Sequence, residues 1–198
     1  MNKNILALLF LLLSTGIVYN TALAQNSLGL SVGSKLTYEV TNSNNARYNL
    51  KLTVKSMDTN GVTFDWAANN KKGSLTLSGE ALENAATLNS EFKAGMLKLQ
   101  NQLSVFFPKK AFRELSGGQT SVKLDKEASA TTFKKVMTRR YDYYHDGEMK
   151  TVQVVLGAKE TQEKGKTRIV LVLDDANFPL LVALDWQVRM TLKSIETI

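Results

Sequence analysis

Residues 35–55 read KLTYEVTNSNNARYNLKLTVK, and this stretch decides the fold class. Leu36, Tyr38 and Val40 alternate with charged residues and threonines, and residues 48–55 repeat the same alternation. A period of two residues puts the apolar side chains on one face of a strand and the polar ones on the other. Between the two segments, residues 42–45 are Asn-Ser-Asn-Asn, and asparagine tolerates the left-handed backbone angles of a turn. The stretch therefore predicts two antiparallel strands that share one buried face.

Similar signals extend along most of the chain. Two further strands follow at once, the first around Phe64 and Trp66 and the second around Leu75 and Leu77, so that four consecutive strands form an antiparallel meander. Later in the chain, five more strands are predicted at residues 119–125, 131–145, 149–159, 167–174 and 186–192. Residues 167–174 are apolar on both faces, which is typical of a central strand that is covered on each side.

The middle of the chain gives a weaker signal. Residues 80–103 are rich in alanine, leucine, glutamate and lysine, which favour a helix, but residues 96–101 also alternate as a strand would. Helix and strand therefore both remain open there. Residues 108–115 predict a short helix of two turns at most, because Pro108 suits the first helical position and Gly117 follows the end.

Together these patterns predict a mainly β protein with one domain, residues 25–198. The expected architecture is a single curled antiparallel sheet, half-barrel or barrel-like, of about nine or ten strands with one or two short helices. So many strands are expected to curl or close, because flat open edges expose unpaired backbone groups to other chains. A chain of this length is large enough for one hydrophobic core.

Residues 1–24 have the features of a secretory signal peptide. A positive start at Lys3 precedes an apolar run from Ile5 to Leu13, and Thr-Ala-Leu-Ala ends at residue 24, directly before Gln25. The apolar run is shorter than the roughly 20 residues that cross a bilayer, so cleavage is expected rather than a membrane anchor. We therefore expect an exported protein, periplasmic or secreted, with no membrane span after cleavage.

The composition restricts the chemistry further. The chain has no cysteine, which excludes disulfide bonds, thiol catalysis and cysteine-ligated zinc. Its net charge is +7, and basic pairs recur at residues 71–72, 109–110, 134–135 and 139–140. Such a surface attracts anions over long range, so an anionic component of the cell envelope is a candidate partner. Nucleic acid is not an expected partner of an exported protein.

The stretch RYDYYHDGE, residues 140–148, contains the only histidine and predicts the register of a long hairpin. Asp146 and Gly147 form a dipeptide that favours a two-residue turn. The expected cross-strand pairs are then His145 with Glu148, Tyr144 with Met149, Tyr143 with Lys150, Tyr141 with Val152, Arg139 with Val154 and Met137 with Leu156. The core face is expected to carry Met137, Tyr141, Tyr143, Val152, Val154 and Leu156. His145 is expected at the exposed tip, and the solvent face is expected to carry Arg140, Asp142, Tyr144, Thr151 and Gln153.

Catalysis at this tip is not expected. A general base works in a pocket, within hydrogen-bond reach of its target, and a hairpin tip seldom provides one. Asp142 also points away from His145 in this register. A single histidine excludes histidine-rich metal sites, and the sequence contains no nucleotide-binding loop and no G-x-S-x-G motif. Residues 90–93 match the S-x-x-K nucleophile motif, but its companion motifs S-D-N and K-T-G are absent, so this match is not interpreted as an active site. We therefore expect no enzymatic activity, no cofactor and no metal site.

Large aromatic residues recur on the apolar faces of the predicted strands. They either belong to an ordinary core, or they line the concave face of a curled sheet and bind an apolar small molecule or a lipid there. The candidate ligand-binding residues are Tyr38, Phe64, Trp66, Tyr141, Tyr143 and Trp186.

Segments near the two ends of the chain carry a resemblance. Residues 32–40, VGSKLTYEV, form an opening strand, and residues 178–181, FPLL, precede a last segment, RMTLKSI, at residues 189–195. In these segments the sequence resembles uncharacterised secreted bacterial β-rich proteins. That group is similar in architecture to the half-barrel lipoprotein-localisation carriers of the periplasm. The resemblance implies a curled antiparallel sheet with helices lining its hollow, and it assigns no functional residue.

Two functions are expected from these observations. The first is an exported, non-catalytic binding protein that carries a lipid or other apolar ligand on the concave face of the sheet. The alternative is an envelope-associated structural or interaction protein with a filled core and a basic surface. The volume of the interior separates the two, because a carrier needs an apolar cavity of about several hundred cubic ångströms.

Overall fold

The computed structural model describes residues 27–90, 92, 94–124, 127–160 and 167–198. The expected signal peptide, residues 1–24, lies outside the described residues. Within the described ranges the chain is mainly β, with thirteen strands and two helices. Neither of these helices has the length and apolar character needed to cross a membrane.

The elements follow one another as a four-stranded start, an irregular middle and a C-terminal series of longer strands. The strands are β1 (Lys35–Thr41), β2 (Arg47–Asp58), β3 (Gly61–Ala68), β4 (Lys71–Ser78), β5 (Thr87–Leu88), β6 (Gly95–Leu99), β7 (Gln102–Leu103), β8 (Gln119–Leu124), β9 (Thr131–His145), β10 (Glu148–Glu160), β11 (Thr167–Leu173), β12 (Leu181–Asp185) and β13 (Arg189–Glu196). The helices are α1 (Gly79–Asn84) and α2 (Lys109–Ser116).

All thirteen described strands belong to one mixed sheet. Its strand order is β6-β4-β3-β2-β1-β13-β12-β11-β10-β9-β8-β5-β7, and β13 also pairs with β9. Most neighbouring strands are antiparallel, but the pairs β4–β6, β5–β7, β5–β8 and β9–β13 are parallel. The prediction of a purely antiparallel sheet is therefore wrong. Parallel pairs arise where the irregular middle returns to the sheet and where β13 meets the tip of β9.

The prediction of about nine or ten strands is too low. Three of the additional strands, β5, β6 and β7, are two to five residues long. β5 and β7 are too short to show a period, and β6 falls in the segment whose alternation left helix and strand both open. The fourth, β12, is buried at four of its five residues, so it lacks the alternation of apolar and polar residues. The middle segment, which fitted helix and strand equally well, contains the short helix α1 followed by these strands.

The first four strands form as the alternation predicts. Leu36, Tyr38 and Val40 of β1 are buried, and the register places the apolar residues of β2 beside them on the same face. Phe64 and Trp66 of β3 continue this buried face. Because successive side chains of a strand point to opposite faces, the other face of β1–β4 carries the lysines, threonines and serines.

The buried face is covered by the helices and the middle segment. Phe112 and Leu115 of α2 are buried, and a Cβ atom added to Gly157 of β10 would lie 3.1 Å from the Leu115 side chain. Pro108 is the N-cap of α2 rather than its first helical residue, a shift of one position from the prediction. Residues 170–173 of β11 are buried without alternation, which confirms that β11 is covered on both faces.

The predicted hairpin register is confirmed, because β9 and β10 form all six expected pairs. Asp146 and Gly147 have φ angles of 50° and 82°, as a primed two-residue turn requires. Tyr143 is buried and Tyr144 is exposed, as expected. Met137 is exposed rather than buried, because no described segment covers this part of β9.

Two other positions differ from the prediction. The hairpin tip is not free, because Tyr144 and His145 pair with the end of β13, and the His145 side chain is only 19% exposed. The last strand begins at Arg189 rather than at residue 186. Trp186 instead lies in the turn before it, where its backbone N–H donates to the Val188 carbonyl at 3.2 Å.

Candidate functional site

The tyrosines expected to bind a ligand are held by hydrogen bonds within the protein. The Tyr38 hydroxyl donates to the Leu181 carbonyl at 2.9 Å, and the Tyr141 hydroxyl donates to the Leu192 carbonyl at 2.6 Å. Burial, and then the neighbouring Tyr141, raise the pKa of Tyr38, and burial also raises the pKa of Tyr141. The Tyr143 hydroxyl lies 3.3 Å from His145 Nδ1. Each hydroxyl therefore has a partner within the protein.

The other three expected ligand-binding residues pack against different aromatic neighbours. Phe64 lies 6.2 Å from Phe106 between ring centroids, and Trp66 lies 5.5 Å from Phe92. Trp186 contacts Phe133 with 5.2 Å between ring centroids. The structure thus distributes the six residues among separate packing contacts and does not assemble them around one ligand space.

An apolar cavity lies on the buried face of the sheet. This cavity has a volume of about 20 Å³ and is bounded by Val40, Tyr48, Leu50, Leu88, Asn89, Ser90, Phe92, Leu103, Ser104, Val105, Leu124, Leu181, Leu184, Val188 and Met190. A space of this size holds about one water molecule. It is far smaller than an acyl chain requires.

A much larger concave space lies on the opposite, polar face of the sheet. It has a volume of about 790 Å³ and spans β13 and β1–β4. We call it the lysine groove, and its lining residues are Lys35, Thr37, Lys51, Thr53, Asp65, Trp66, Ala67, Lys72, Gly73 and Glu196. Its volume falls within the range of about 300 to 1,000 Å³ that is common for ligand sites.

The strand register fixes the layout of the lysine groove. Thr37 of β1 pairs with Lys51 of β2, Lys51 pairs with Ala67 of β3, and Ala67 pairs with Lys72 of β4. These residues form a row across four strands in which a methyl group separates two exposed lysines. Since neighbouring strands lie about 4.8 Å apart, the Cα atoms of Lys51 and Lys72 are about 10 Å apart.

The charges of the groove are not balanced. Lys35 Nζ lies 3.9 Å from Glu196 Oε2, and Asp65 Oδ2 lies 3.4 Å from Lys55 Nζ, so both acidic groups have a cationic partner. Among the described residues, neither Lys51 nor Lys72 forms an ion pair. The row therefore offers two uncompensated ammonium groups, with the Thr37 hydroxyl beside them, to an anion.

Trp66 also lines the groove, although the residue is only 2% exposed. Its indole N–H is a buried donor without a hydrogen-bond partner. A Cβ atom on the neighbouring Gly73 would lie 2.8 Å from this nitrogen and 2.2 Å from the Gly95 carbonyl oxygen. Glycine is therefore required here, because β4 and β6 approach each other closely at this point.

A second polar cluster joins the β8–β9 connection to β11 and to the turn before β13. Glu127 Oε1 accepts hydrogen bonds from Arg168 Nη1 at 2.6 Å and from Trp186 Nε1 at 2.7 Å. Glu127 Oε2 accepts a third from the Thr131 hydroxyl at 3.2 Å, and the Arg168 guanidinium lies 5.2 Å from the Trp186 ring centroid. These groups satisfy one another, so the cluster holds three segments together and leaves no carboxylate oxygen free for a substrate.

The hairpin tip contains the third cluster of titratable groups. Asp146 accepts hydrogen bonds from the Thr197 backbone N–H at 2.7 Å and from the Thr197 hydroxyl at 2.6 Å. These bonds, more than the nearby His145, lower the pKa of Asp146. His145 Nε2 lies 3.5 Å from Asp146 Oδ2, and Tyr143 lies on the other side of the ring. The contacts attach the tip to the C-terminal end of the chain.

Within the described ranges no three histidine, aspartate or glutamate side chains are placed to hold one metal ion. No sequence pattern marks Lys51 as a binding residue, and Lys72 is marked only as part of the basic pair at residues 71–72. The available signal was the outward-facing half of the alternation in residues 35–55, where lysine and threonine outnumber carboxylates. Comparison of the chain with protein-family models, curated proteins and solved structures found no match.

Proposed function

We propose that the protein is an exported, non-catalytic interaction protein that binds an acidic polymer of the cell envelope in the lysine groove. The observation that carries this proposal is the contrast between the two concave spaces. The apolar cavity has a volume of about 20 Å³, whereas the lysine groove, which presents Lys51 and Lys72, has a volume of about 790 Å³. This geometry favours the filled core and basic surface that formed the second of the two functions expected from the sequence.

Lipid carriage draws less support from this geometry. A carrier needs an apolar space of about several hundred cubic ångströms, and the six aromatic residues expected to line it are packed against other parts of the chain. The proposal keeps the curled, half-barrel form of the sheet and places the binding surface on its outward side. The expectation of export rests on the signal peptide.

A polymer fits the groove better than a membrane surface does. Proteins that lie on anionic membranes combine basic residues with apolar side chains that enter the lipid boundary. The lysine groove offers no such side chain, since Ala67 is its one exposed apolar residue. A hydrated polyanion needs only cations and hydroxyl groups, and an acidic polysaccharide with carboxylates or sulfates along its length supplies the complementary charge.

The test compares the protein with a double charge reversal, Lys51→Glu with Lys72→Glu, by calorimetry against a polyuronate such as alginate. A lysine near an anionic surface contributes about 1 kcal/mol, so loss of both lysines is expected to weaken binding by about 2 kcal/mol, or about thirtyfold. The control reverses Lys110 and Lys159, which are exposed outside the groove, and so produces the same change in net charge.

The control decides between a site and a general charge effect. We expect the control to keep most of the affinity, and neutral dextran to show no binding to any variant. An equal loss of alginate affinity in both double variants would refute the lysine groove as the binding site. Co-purification of a lipid, detected by native mass spectrometry and organic extraction, would instead support the carrier function. Binding to anionic vesicles but not to alginate would favour lipid headgroups over a polymer.

A further inference from the structure

One edge of β9 is open between two short pairings. β9 pairs with β10 from Lys134 to His145, while its other edge pairs with β8 through Thr131–Lys134 and with β13 through Tyr144 and His145. Within the described part of the chain, residues 136–143 have no strand partner on that second edge. The gap interrupts an otherwise continuous run of paired strands.

The turn determines which backbone groups face this gap. A two-residue hairpin loop makes His145 and Glu148 a hydrogen-bonded pair, and bonded and non-bonded pairs then alternate along the strand. Thr138, Arg140 and Asp142 therefore direct their N–H and C=O groups away from β10, toward the open edge. A contact at the tip agrees with this assignment. The backbone N–H of Asp146, which has the same parity as these residues, also faces away from β10 and donates to the Ile195 carbonyl at 3.0 Å.

The side chains around the gap are exposed and mainly cationic. Residues 134–140 are all exposed, and among them Val136 is 54% and Met137 is 50% exposed. The cations are Lys134, Lys135, Arg139 and Arg140, and none forms an ion pair with a described residue. Asp142 is the one carboxylate of β9, and the Thr151 hydroxyl donates to it at 2.6 Å.

We propose that this edge binds an extended, acidic segment of a partner protein by strand addition. Main-chain hydrogen bonds from an added strand give such complexes affinity, and the side chains of the edge select the sequence. Charged residues on an edge normally prevent pairing with other strands. Four uncompensated cations exclude basic strands but favour an acidic one. A second copy of the chain is disfavoured, because it would place the Arg139 and Arg140 cations opposite like charges.

The first experiment uses a short capped peptide in which glutamate alternates with valine, and it follows amide hydrogen exchange of the isotope-labelled protein by NMR. We expect the amides of Thr138, Arg140 and Asp142 to gain protection when the peptide is added. The amides of Arg139 and Tyr141 already face β10, so their protection should change little. Protection of both sets, or of neither, would overturn strand addition.

A proline substitution tests the backbone separately from charge. Thr138→Pro removes an edge-facing donor but no β9–β10 hydrogen bond, and edge strands tolerate proline at such positions. We expect it to weaken peptide binding at least tenfold, whereas Thr138→Ala binds as the unmodified protein does. A peptide methylated on alternate backbone nitrogens gives the same test without altering the protein, and it should fail to bind. Unchanged binding in both cases would overturn the proposal.

The charge of the partner is tested with a lysine–valine peptide and with the variant Arg139→Glu with Arg140→Glu. The lysine peptide should bind the unmodified protein at least tenfold more weakly than the glutamate peptide, and the variant should reverse this preference. Equal binding of the two peptides would refute an acidic partner. Protection of Thr138 that depends on protein concentration, without any peptide, would show that a second copy occupies the edge.

Discussion

Replacement of Glu127 by alanine is expected to be the most destabilising single change among the polar residues. The Glu127 side chain is 12% exposed and accepts three hydrogen bonds, two of them on one oxygen. Arg168 and Trp186, the donors to that oxygen, come from different segments of the chain. The substitution therefore breaks the connection among the β8–β9 segment, β11 and the turn before β13.

The magnitude follows from the groups left behind. A hydrogen bond to a charged group contributes about 1.5 to 3 kcal/mol, and a buried donor left without a partner costs about 1 to 3 kcal/mol. The Arg168 side chain is 31% exposed, so water replaces part of its lost partner and the cost lies near the lower end. We expect Glu127→Ala to lower the free energy of unfolding by about 3 kcal/mol.

The assay is urea unfolding followed by tryptophan fluorescence, with a thermal melt as a second measure. For a chain of this size, about 3 kcal/mol corresponds to a fall in Tm of about 6 to 12 °C. Because the indole N–H of Trp186 loses its acceptor, the native emission spectrum should also shift. A double-mutant cycle with Arg168→Ala should give a coupling of about 1 to 2 kcal/mol.

The matched control is Glu114→Ala on α2. Glu114 also accepts a hydrogen bond, from the Thr120 hydroxyl at 2.8 Å, but it is exposed and has no ion pair with a described residue. It should lower the free energy of unfolding by about 1 kcal/mol or less. If Glu127→Ala costs no more than this control, the three-segment cluster does not stabilise the fold and the reasoning is wrong.

Three further predictions concern β4 and the hairpin. Gly73→Ala should lower the free energy of unfolding by about 1 to 3 kcal/mol in urea, because its Cβ would lie 2.2 Å from the Gly95 carbonyl oxygen; an unchanged midpoint would show that β6 moves away freely. Tyr143→Thr should lower the free energy of unfolding by about 2 to 4 kcal/mol, whereas Tyr144→Thr should lower it by less than about 1 kcal/mol, because only Tyr143 is buried. Similar losses of stability in the two variants would contradict the register of the hairpin. The lowered pKa of Asp146 means that its stabilising effect is present above the ordinary carboxyl value of 3.8 and is lost as pH falls through the folded-state pKa. The Tm difference between the unmodified protein and Asp146→Asn should therefore be present at neutral pH and disappear in acid, and a difference that is constant with pH would refute the Thr197 contact.

The candidate binding surface was only partly visible in the sequence. Alternation in residues 35–55 indicates which side chains point outward, so the basic character of that face follows from Lys35 and Lys51. The sequence does not place Lys51 and Lys72 on either side of Ala67, because that requires the register of three strands at once. Nor does it indicate a groove, since the concave form of the outer face depends on how the strands twist together.

The features that the sequence alone determined are local. The alternation of apolar and polar residues involves only near neighbours in the chain, and it predicts the strands β1–β4. The turn at Asp146 and Gly147 is equally local, and it predicts the six pairs of the hairpin. The tertiary structure decided what depends on distant partners. β5–β7 and β12 exist because other strands bind them, and the core forms because side chains from many elements pack together there. Packing of this kind leaves no periodic pattern in the sequence. It is also the reason that the proposed binding site lies on the outer face of the sheet rather than on the inner one.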